Sequence, residues 1–460
     1  MKENIKYSFL NRIVNTLTPF VISMYLARVL DKNDLGNIAY GKNILTYFLV
    51  IAMMGIQEYG IREIAKARNN TKKESKIFCE LFVINTVSTM GSLLLYALIK
   101  SIYPDQIIGI FIIVILANFF NFDYLLLGRE NYKFVALRNI IQKILSLLLI
   151  LIFVQTSKHV NRYIIIYALS QFVLHIPDII YAIKVLEIPA SRLDIIKHCK
   201  SILFLFGTAI SLELYSQIDI TMLGAWCTYS DVALYSYSSK FIKMIVVLIC
   251  SISTVLLPRI SYLRDKEEIS ENVKWILKLV LILAIPAMIG GYIVSYDIMT
   301  FLYGESFYEA GRIVRVLSLL IVICSLGNIF GTQVLISQNN ETKLLISTLV
   351  GACTNIVFNF ILIRKNGIEG AAIASLVSEF LVMLLQVFYS RKLVSFKIEM
   401  SFWIGLIVST IVLLLSMIPF ILYEWDNKYT KLIVQIVVGF CIYGISIKLL
   451  LLDKLFKRRD

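Results

Sequence analysis

Fourteen stretches of this chain are continuously apolar over roughly 20 residues, the length an α-helix needs to cross the hydrocarbon core of a bilayer. They fall at about 8–28, 37–59, 77–99, 106–127, 139–156, 163–183, 201–225, 231–256, 276–296, 313–337, 344–363, 368–390, 401–423 and 432–451. Such runs do not alternate with period two, so a closed β-barrel is excluded and helices remain the only spanning structure. Composition agrees. Of the 460 residues 58% are hydrophobic and 17% charged, where a soluble chain carries about 25% charged residues. The spans use most of the chain, which leaves no room for a soluble catalytic domain. The expected fold is an all-α polytopic membrane protein of about 14 transmembrane helices.

Lys and Arg number 45 against 31 Asp and Glu, a formal net charge of +14. On a soluble chain that excess would suggest nucleic acid, but membrane topology produces it as well. The N-terminus, the even-numbered connections and the C-terminal tail hold about three times as many Lys and Arg as the odd-numbered connections, which places both termini in the cytoplasm. The segment Arg62 to Lys76 and the tail Lys454 to Arg459 mark that side most strongly, and the near-neutral connection 337–343 marks it least. Met1 to Lys6 leads straight into an apolar run without a small-residue cleavage site, and reads as a retained first span. Seven Cys form no CxxC pair and read as small buried hydrophobes. His159, His175 and His198 lack metal-ligand spacing, so no metal is expected.

The chain repeats itself weakly. Asp34-Leu-Gly-Asn-Ile-Ala-Tyr40 opens the second run and Asp231-Val-Ala-Leu-Tyr-Ser-Tyr237 opens the eighth. In each an acid begins the helix, where it suits the positive end of the dipole, and a Tyr follows six positions on. Two six-helix bundles follow, over 1–190 and 191–395, with two added helices and a basic tail over 396–460. Parallel repeats facing each other across a cavity are a recurring transporter plan.

Ionisable groups inside a membrane face a cavity or a partner, because a charge at mid-bilayer costs on the order of 3 kcal/mol on insertion scales. The first run carries Arg12, Asn15, Thr16, Pro19 and Ser23 at helical spacing on one face, and Pro19 is placed to kink it as a gating element. The eighth run repeats the pattern with Ser236, Ser239, Lys240 and Lys243, and Lys42 stands in the second. Arg12, Lys42, Lys240 and Lys243 are the candidate cations for an anionic substrate, since Lys and Arg bind phosphate strongly at low dielectric. Snorkelling is the alternative near span ends, and it suits Arg315. Asn15, Thr16, Asp123, Glu213, Asp219 and Glu379 are candidates for polar cavity contacts or for proton or sodium coupling. Helix-to-helix ion pairs remain open for each acid.

The sequence holds no GxxxxGK[ST] phosphate loop, HExxH or GxSxG, and its connections are too short for an active-site domain. The expectation is a transporter without enzymatic activity or cofactor. Gly327-Asn-Ile-Phe-Gly331 fits close helix packing.

Several motifs in order resemble one family. They begin with Tyr25-Leu-Ala-Arg-Val-Leu-Asp-Lys-Asn-Asp-Leu-Gly36, Tyr40 and Gly55-Ile-Gln-Glu-Tyr-Gly-Ile-Arg-Glu-Ile-Ala65. Leu127-Gly-Arg-Glu130, Asp219 with Met222-Leu-Gly224, and Leu257-Pro-Arg259 follow. Phe301-Leu-Tyr-Gly-Glu-Ser-Phe307 and Gly367-Ile-Glu-Gly-Ala-Ala372 with Glu379 complete the series. Together they resemble the Wzx-type polysaccharide repeat-unit flippases of the multidrug/oligosaccharidyl-lipid/polysaccharide exporter superfamily. Asp31 departs from the family pattern, standing where a Gly is expected. The resemblance implies alternating access by two bundles in the bacterial cytoplasmic membrane. It also implies an undecaprenyl-diphosphate-linked oligosaccharide, moved to the outer leaflet for O-antigen, capsule or exopolysaccharide assembly. Membrane lipid, a polysaccharide polymerase and chain-length proteins are the implied partners. The rivals are a multidrug exporter of the same superfamily, with an acid-dominated cavity, and a membrane-bound glycosyltransferase or polymerase.

Overall fold

The computed structural model describes the backbone of residues 2–68, 70–102, 106–187, 193–254, 266–423 and 425–452. Within them the chain is helical, with no strand. Twelve helices are long and apolar enough to cross a membrane. One of these, of 50 residues, contains a break that divides it into two. The N-terminal helix Lys2–Val29 supplies one more, which accounts for the fourteen apolar runs. Leu257-Pro-Arg259 and the tail from 453 lie outside the described residues, as does the side chain of Arg12.

By contact the chain forms two compact units, one of residues 1–224 with 228–233, the other of 225–227 with 234–460. Residues 196–224, grouped with the second bundle by the repeat, thus pack with the first unit.

The first unit contains α1 (Lys2–Val29), α2 (Lys32–Met53), α3 (Ile56–Ala67), α4 (Thr71–Ile102), α5 (Gln106–Ala117), α6 (Asp123–Gly128), α7 (Tyr132–Phe153), α8 (Val160–Leu174), α9 (Ile176–Val185) and most of α10 (Ile196–Trp226). Met54 at φ 47° and Gly55 at φ 75° end α2 and redirect the chain into α3. There Ile56, Tyr59, Gly60, Ile64 and Ala67 are buried at helical spacing, while Arg62 and Lys66 face outward. The buried stripe packs on α6 and on Leu81, Phe122 and Ile202. Between α5 and α6 the helix is interrupted at 118–122. Irregular backbone at membrane depth survives only where its polar groups find partners. Here Asn85 supplies one, donating from Nδ2 to the Asn118 carbonyl at 2.9 Å and accepting from Asn118 Nδ2 at 3.0 Å.

Helix α10 lies antiparallel along α2. A methyl group on Gly36 would overlap the Tyr229 carbonyl just beyond α10, and one on Gly224 would overlap the ring of Tyr40. At the other end Gly55 sits against Ile202, Leu205 and Phe206. Only 6% of the most apolar window of α10 is buried.

The second unit contains α11 (Tyr229–Thr254, from Leu234 on), α12 (Lys266–Ile293), α13 (Ser295–Tyr303), α14 (Ala310–Leu317), α15 (Leu319–Asn328), α16 (Glu341–Ser390), α17 (Met400–Leu422) and α18 (Lys428–Ile447). A π-helical stretch, Ile329–Ile336, follows α15. Tyr237, Tyr303 and Phe307 pack ring on ring, with centroids 4.9 to 5.5 Å apart. In α16, Gly367 takes φ 56° and ψ −131°, and the sharp bend brings Gly370 against the Leu362 carbonyl. A side chain at Gly367 would be strained, because that conformation belongs almost wholly to glycine.

Candidate functional site

The first unit gathers polar side chains from α1, α2, α7 and α8 inside the spanning region. Lys42, midway along α2, donates from Nζ to the Tyr163 phenol at 2.6 Å. The same ammonium lies 4.0 Å from the Tyr167 ring centroid and 4.9 Å from that of Tyr163. Both tyrosines belong to α8, four residues apart and so on one face. Lys143 stands on α7, which packs against α8. Among the described residues, neither Lys42 nor Lys143 has a carboxylate within ion-pair distance. Asn139, one turn before Lys143, donates to Asn11 Oδ1 at 3.0 Å, and Asn15 donates to the same oxygen at 3.2 Å. Asn15 thus stands on an amide ladder joining α1 to α7, with Thr16 and Pro19 half-buried beyond it.

A second polar line joins α2 to α10. Asn43 donates to the Gln217 carbonyl at 2.9 Å and to its Oε1 at 3.0 Å, and Gln217 Nε2 donates to Glu213 Oε1 at 2.9 Å. Thr221 donates to Asn43 Oδ1 at 2.8 Å and lies 2.8 Å from the Tyr47 hydroxyl. Glu213 and Asp219 both act on Tyr47, so the two acids share this neighbourhood.

Asp123 has a different setting. Arg138 on α7 pairs with it at 2.7 Å and also with the fully buried Asp178 of α9, which His175 approaches at 3.0 Å. The cluster ties α6, α7 and α9 together. Glu80, also fully buried, accepts from Lys197 Nζ at 2.8 Å and from the Asp194 backbone N–H at 2.7 Å, and lies 2.8 Å from His198 Nε2. This fastens the start of α10 to α4.

In the second unit Lys240 and Lys243 are exposed. Lys240 lies 5.6 Å from the Tyr237 ring centroid. Lys243 and Glu379 both act on the Cys324 thiol, which places these three side chains near one another. Arg315 lies 5.5 Å from the Tyr292 ring centroid and 4.6 Å from that of Tyr296, and donates to Ser295 Oγ at 3.1 Å. Glu399, before α17, pairs with Lys278 at 2.7 Å, and this bond holds its carboxyl below the usual range.

Sequence reasoning missed Lys143 and the tyrosine clamp. Lys143 is the fifth residue of the fifth run, inside it, and nothing in the local pattern shows which neighbour it faces. Tyr163 and Tyr167 read as two ordinary aromatics of a span, and no pattern marks them as cation partners. Among the described residues no three His, Cys, Asp or Glu side chains could hold a metal ion.

The family model described as "Polysaccharide biosynthesis protein" matches residues 1–264, and the MatE model matches 205–361. A protein of Escherichia coli (strain K12), provisionally named an O-antigen transporter, is 22% identical over 85% of this chain and 97% of its own. The capsular polysaccharide biosynthesis protein CapF of Staphylococcus aureus is also 22% identical, over 85% of this chain and 100% of its own. In fold the chain is similar to the lipid II flippase MurJ in an inward closed conformation, with TM-score 0.76, 18% identity, and coverage of 98% of this chain and 100% of that one. An inward-facing multidrug transporter of the MATE family gives TM-score 0.66 at 13% identity, covering 82% and 94%. With more than half its length matched by one family model, this multi-pass membrane protein belongs to the polysaccharide biosynthesis protein family.

Proposed function

We propose that the chain is a flippase, which moves an undecaprenyl-diphosphate-linked oligosaccharide from the cytoplasmic to the outer leaflet of the cytoplasmic membrane by alternating access. The observation that carries this reading is the match to a polysaccharide biosynthesis family on a chain built almost wholly of spans. A chain so built suits the movement of a membrane-anchored sugar. The fold of a lipid II flippase supports it, and the relatives named for O-antigen transport and capsule biosynthesis set the substrate class. Both termini lie in the cytoplasm in this reading, on the Lys and Arg asymmetry. Arg12, Lys42, Lys240 and Lys243 meet the diphosphate, and Asn15, Thr16, Glu213, Asp219 and Glu379 are candidates for sugar contacts or for coupling to a proton or sodium ion. Asp123 leaves that set, because Arg138 holds it. A polymerase and chain-length proteins act downstream.

The test is genetic and biochemical. Deleting the gene should abolish surface polysaccharide and accumulate its lipid-linked repeat unit inside the cell, with recovery on complementation. Purified protein should flip that lipid in proteoliposomes. Normal polymer in the deletion strain would overturn the reading.

The MatE match over 205–361 favours a second reading, a drug exporter. It predicts drug hypersensitivity in the deletion strain with surface polysaccharide unchanged. The two lysines without carboxylate partners in the first unit suit organic cations poorly.

A further inference from the structure

Gln333 is fully buried in the second unit, and neither end of its side-chain amide has a hydrogen-bond partner among the described residues. It lies in the π-helical stretch Ile329–Ile336, which packs against α16. Gln386 of α16 is also buried, and its Oε1 is likewise without a partner. Each polar group left so costs about 1–3 kcal/mol. The needs of the two amides are complementary, since the N–H of Gln333 can donate to the oxygen of Gln386. Their positions keep them apart. A Cβ on Gly327 would stand 3.2 Å from Gln386 Oε1, and one on Gly331 would stand 3.0 Å from Gln386 Nε2. Leu344, from the part of α16 before the Gly367 bend, lies 3.0 Å from that second point. Gln333 follows Gly331 by two positions, and side chains two apart on a helix do not share a face.

We infer that Ile329–Ile336 is a register switch with two packings, the π form described above and an α form in which Gln333 and Gln386 pair. The inference stands on the second unit alone and does not need the flippase reading. A π turn closes i→i+5 bonds and is found mostly as a single turn, often at a functional site. Here it runs for eight residues. Conversion to i→i+4 bonding puts fewer residues in each turn, so every later side chain is carried progressively round the axis. That rotation brings Gln333 toward the face on which Gln386 lies. Other contacts hold the π form. Ser390 Oγ donates to the Phe330 carbonyl at 3.2 Å, and Ser337 Oγ donates to that of Gln333 at 2.6 Å. The Phe330 ring meets Phe396 edge-on, with centroids 5.1 Å apart. Backbone register and ring packing favour one form and the two amides favour the other, which is how a packed element comes to have two discrete states.

The test is amide hydrogen exchange, read by mass spectrometry over peptides covering 329–340 of the purified full chain in detergent. Wild type is compared with Gln333→Leu, Gln386→Leu and the double variant. Passage between the two forms breaks the backbone bonds of the stretch, so its amides exchange when it switches. In either single variant the α form has lost its pair, and the remaining glutamine is unpartnered in both forms. Exchange should therefore slow about tenfold in each single variant, and by the same factor and no more in the double variant. Two independent glutamines would instead multiply to about a hundredfold, and that result overturns the inference. Unchanged or faster exchange in Gln333→Leu overturns it as well. Each variant replaces a buried unpartnered amide by apolar atoms, so its apparent Tm should be no lower than that of wild type. A lower Tm in Gln333→Leu would show an amide held by partners, and would sink the switch. Nothing is transported in this experiment, so a chain that switches as expected but flips no lipid would fail the flippase reading alone.

Discussion

Lys42 and Tyr163, 121 residues apart in sequence, are joined by a 2.6 Å hydrogen bond inside the spanning region. The bond holds the ammonium group of α2 against α8. Tyr163→Phe removes its only oxygen partner among the described residues and should destabilise the protein by about 1–3 kcal/mol. Thermal unfolding in detergent checks this. The double variant Tyr163→Phe with Lys42→Met should recover most of the loss, because it removes both ends of the bond. Additive losses would show that the two residues are not coupled.

Glu80 supports a second expectation. It is fully buried and gathers Lys197, His198 and the Asp194 amide. Glu80→Ala would strand those donors and should cost about 3 kcal/mol. Release of residues 194–198 should appear as faster protease cleavage there. Unaltered cleavage would mean that the packing of α10 on α2 holds the segment alone.

Gly367 allows a clean test of backbone strain. No atom lies within 4 Å of where a Cβ would stand, so any cost of substitution there is conformational. Gly367→Ala should lose about 1–3 kcal/mol. Gly290, equally open but inside the regular helix α12, should gain about 0.5–1 kcal/mol on conversion to Ala. Equal Tm values for the two variants would remove the argument from φ.

The Lys278 and Glu399 pair predicts a pH dependence. Its carboxyl titrates below the usual Glu value of about 4.3, so its contribution is complete above that value and fades as pH falls through the folded-state value. Glu399 is 56% exposed, which limits the effect to less than about 1 kcal/mol. Glu399→Gln should lower Tm slightly at pH 7, and the difference from wild type should vanish near pH 3. A difference that persists at pH 3 would point to packing.

The spans were legible because apolar run length is set by the bilayer and needs no tertiary information. Asp34 and Asp231 did begin helices, α2 and α11, as the positive helix end favours. Partnerships were not legible. For Asp123 the sequence left cavity contact and ion pair equally open, and only the packing of Arg138, 15 residues on, decides for the pair. Helix α3 was hidden by its polar outer face, which makes a buried helix read as a loop. The attachment of α10 to α2 depends on what Gly36 and Gly224 leave room for, and a missing side chain leaves no trace in a hydropathy pattern.

That attachment bears on how the polypeptide can be divided. A split at the repeat boundary near residue 190 would deprive the N-terminal fragment of the helix that covers Asn43, Tyr47 and Gly55, and expose a row of amides and glycines to lipid. A split at 226 or 227 keeps α10 with α2 and parts only Tyr229 from Gly36. Two co-expressed fragments cut there should reassemble, whereas fragments cut at 190 must first find each other across the seam.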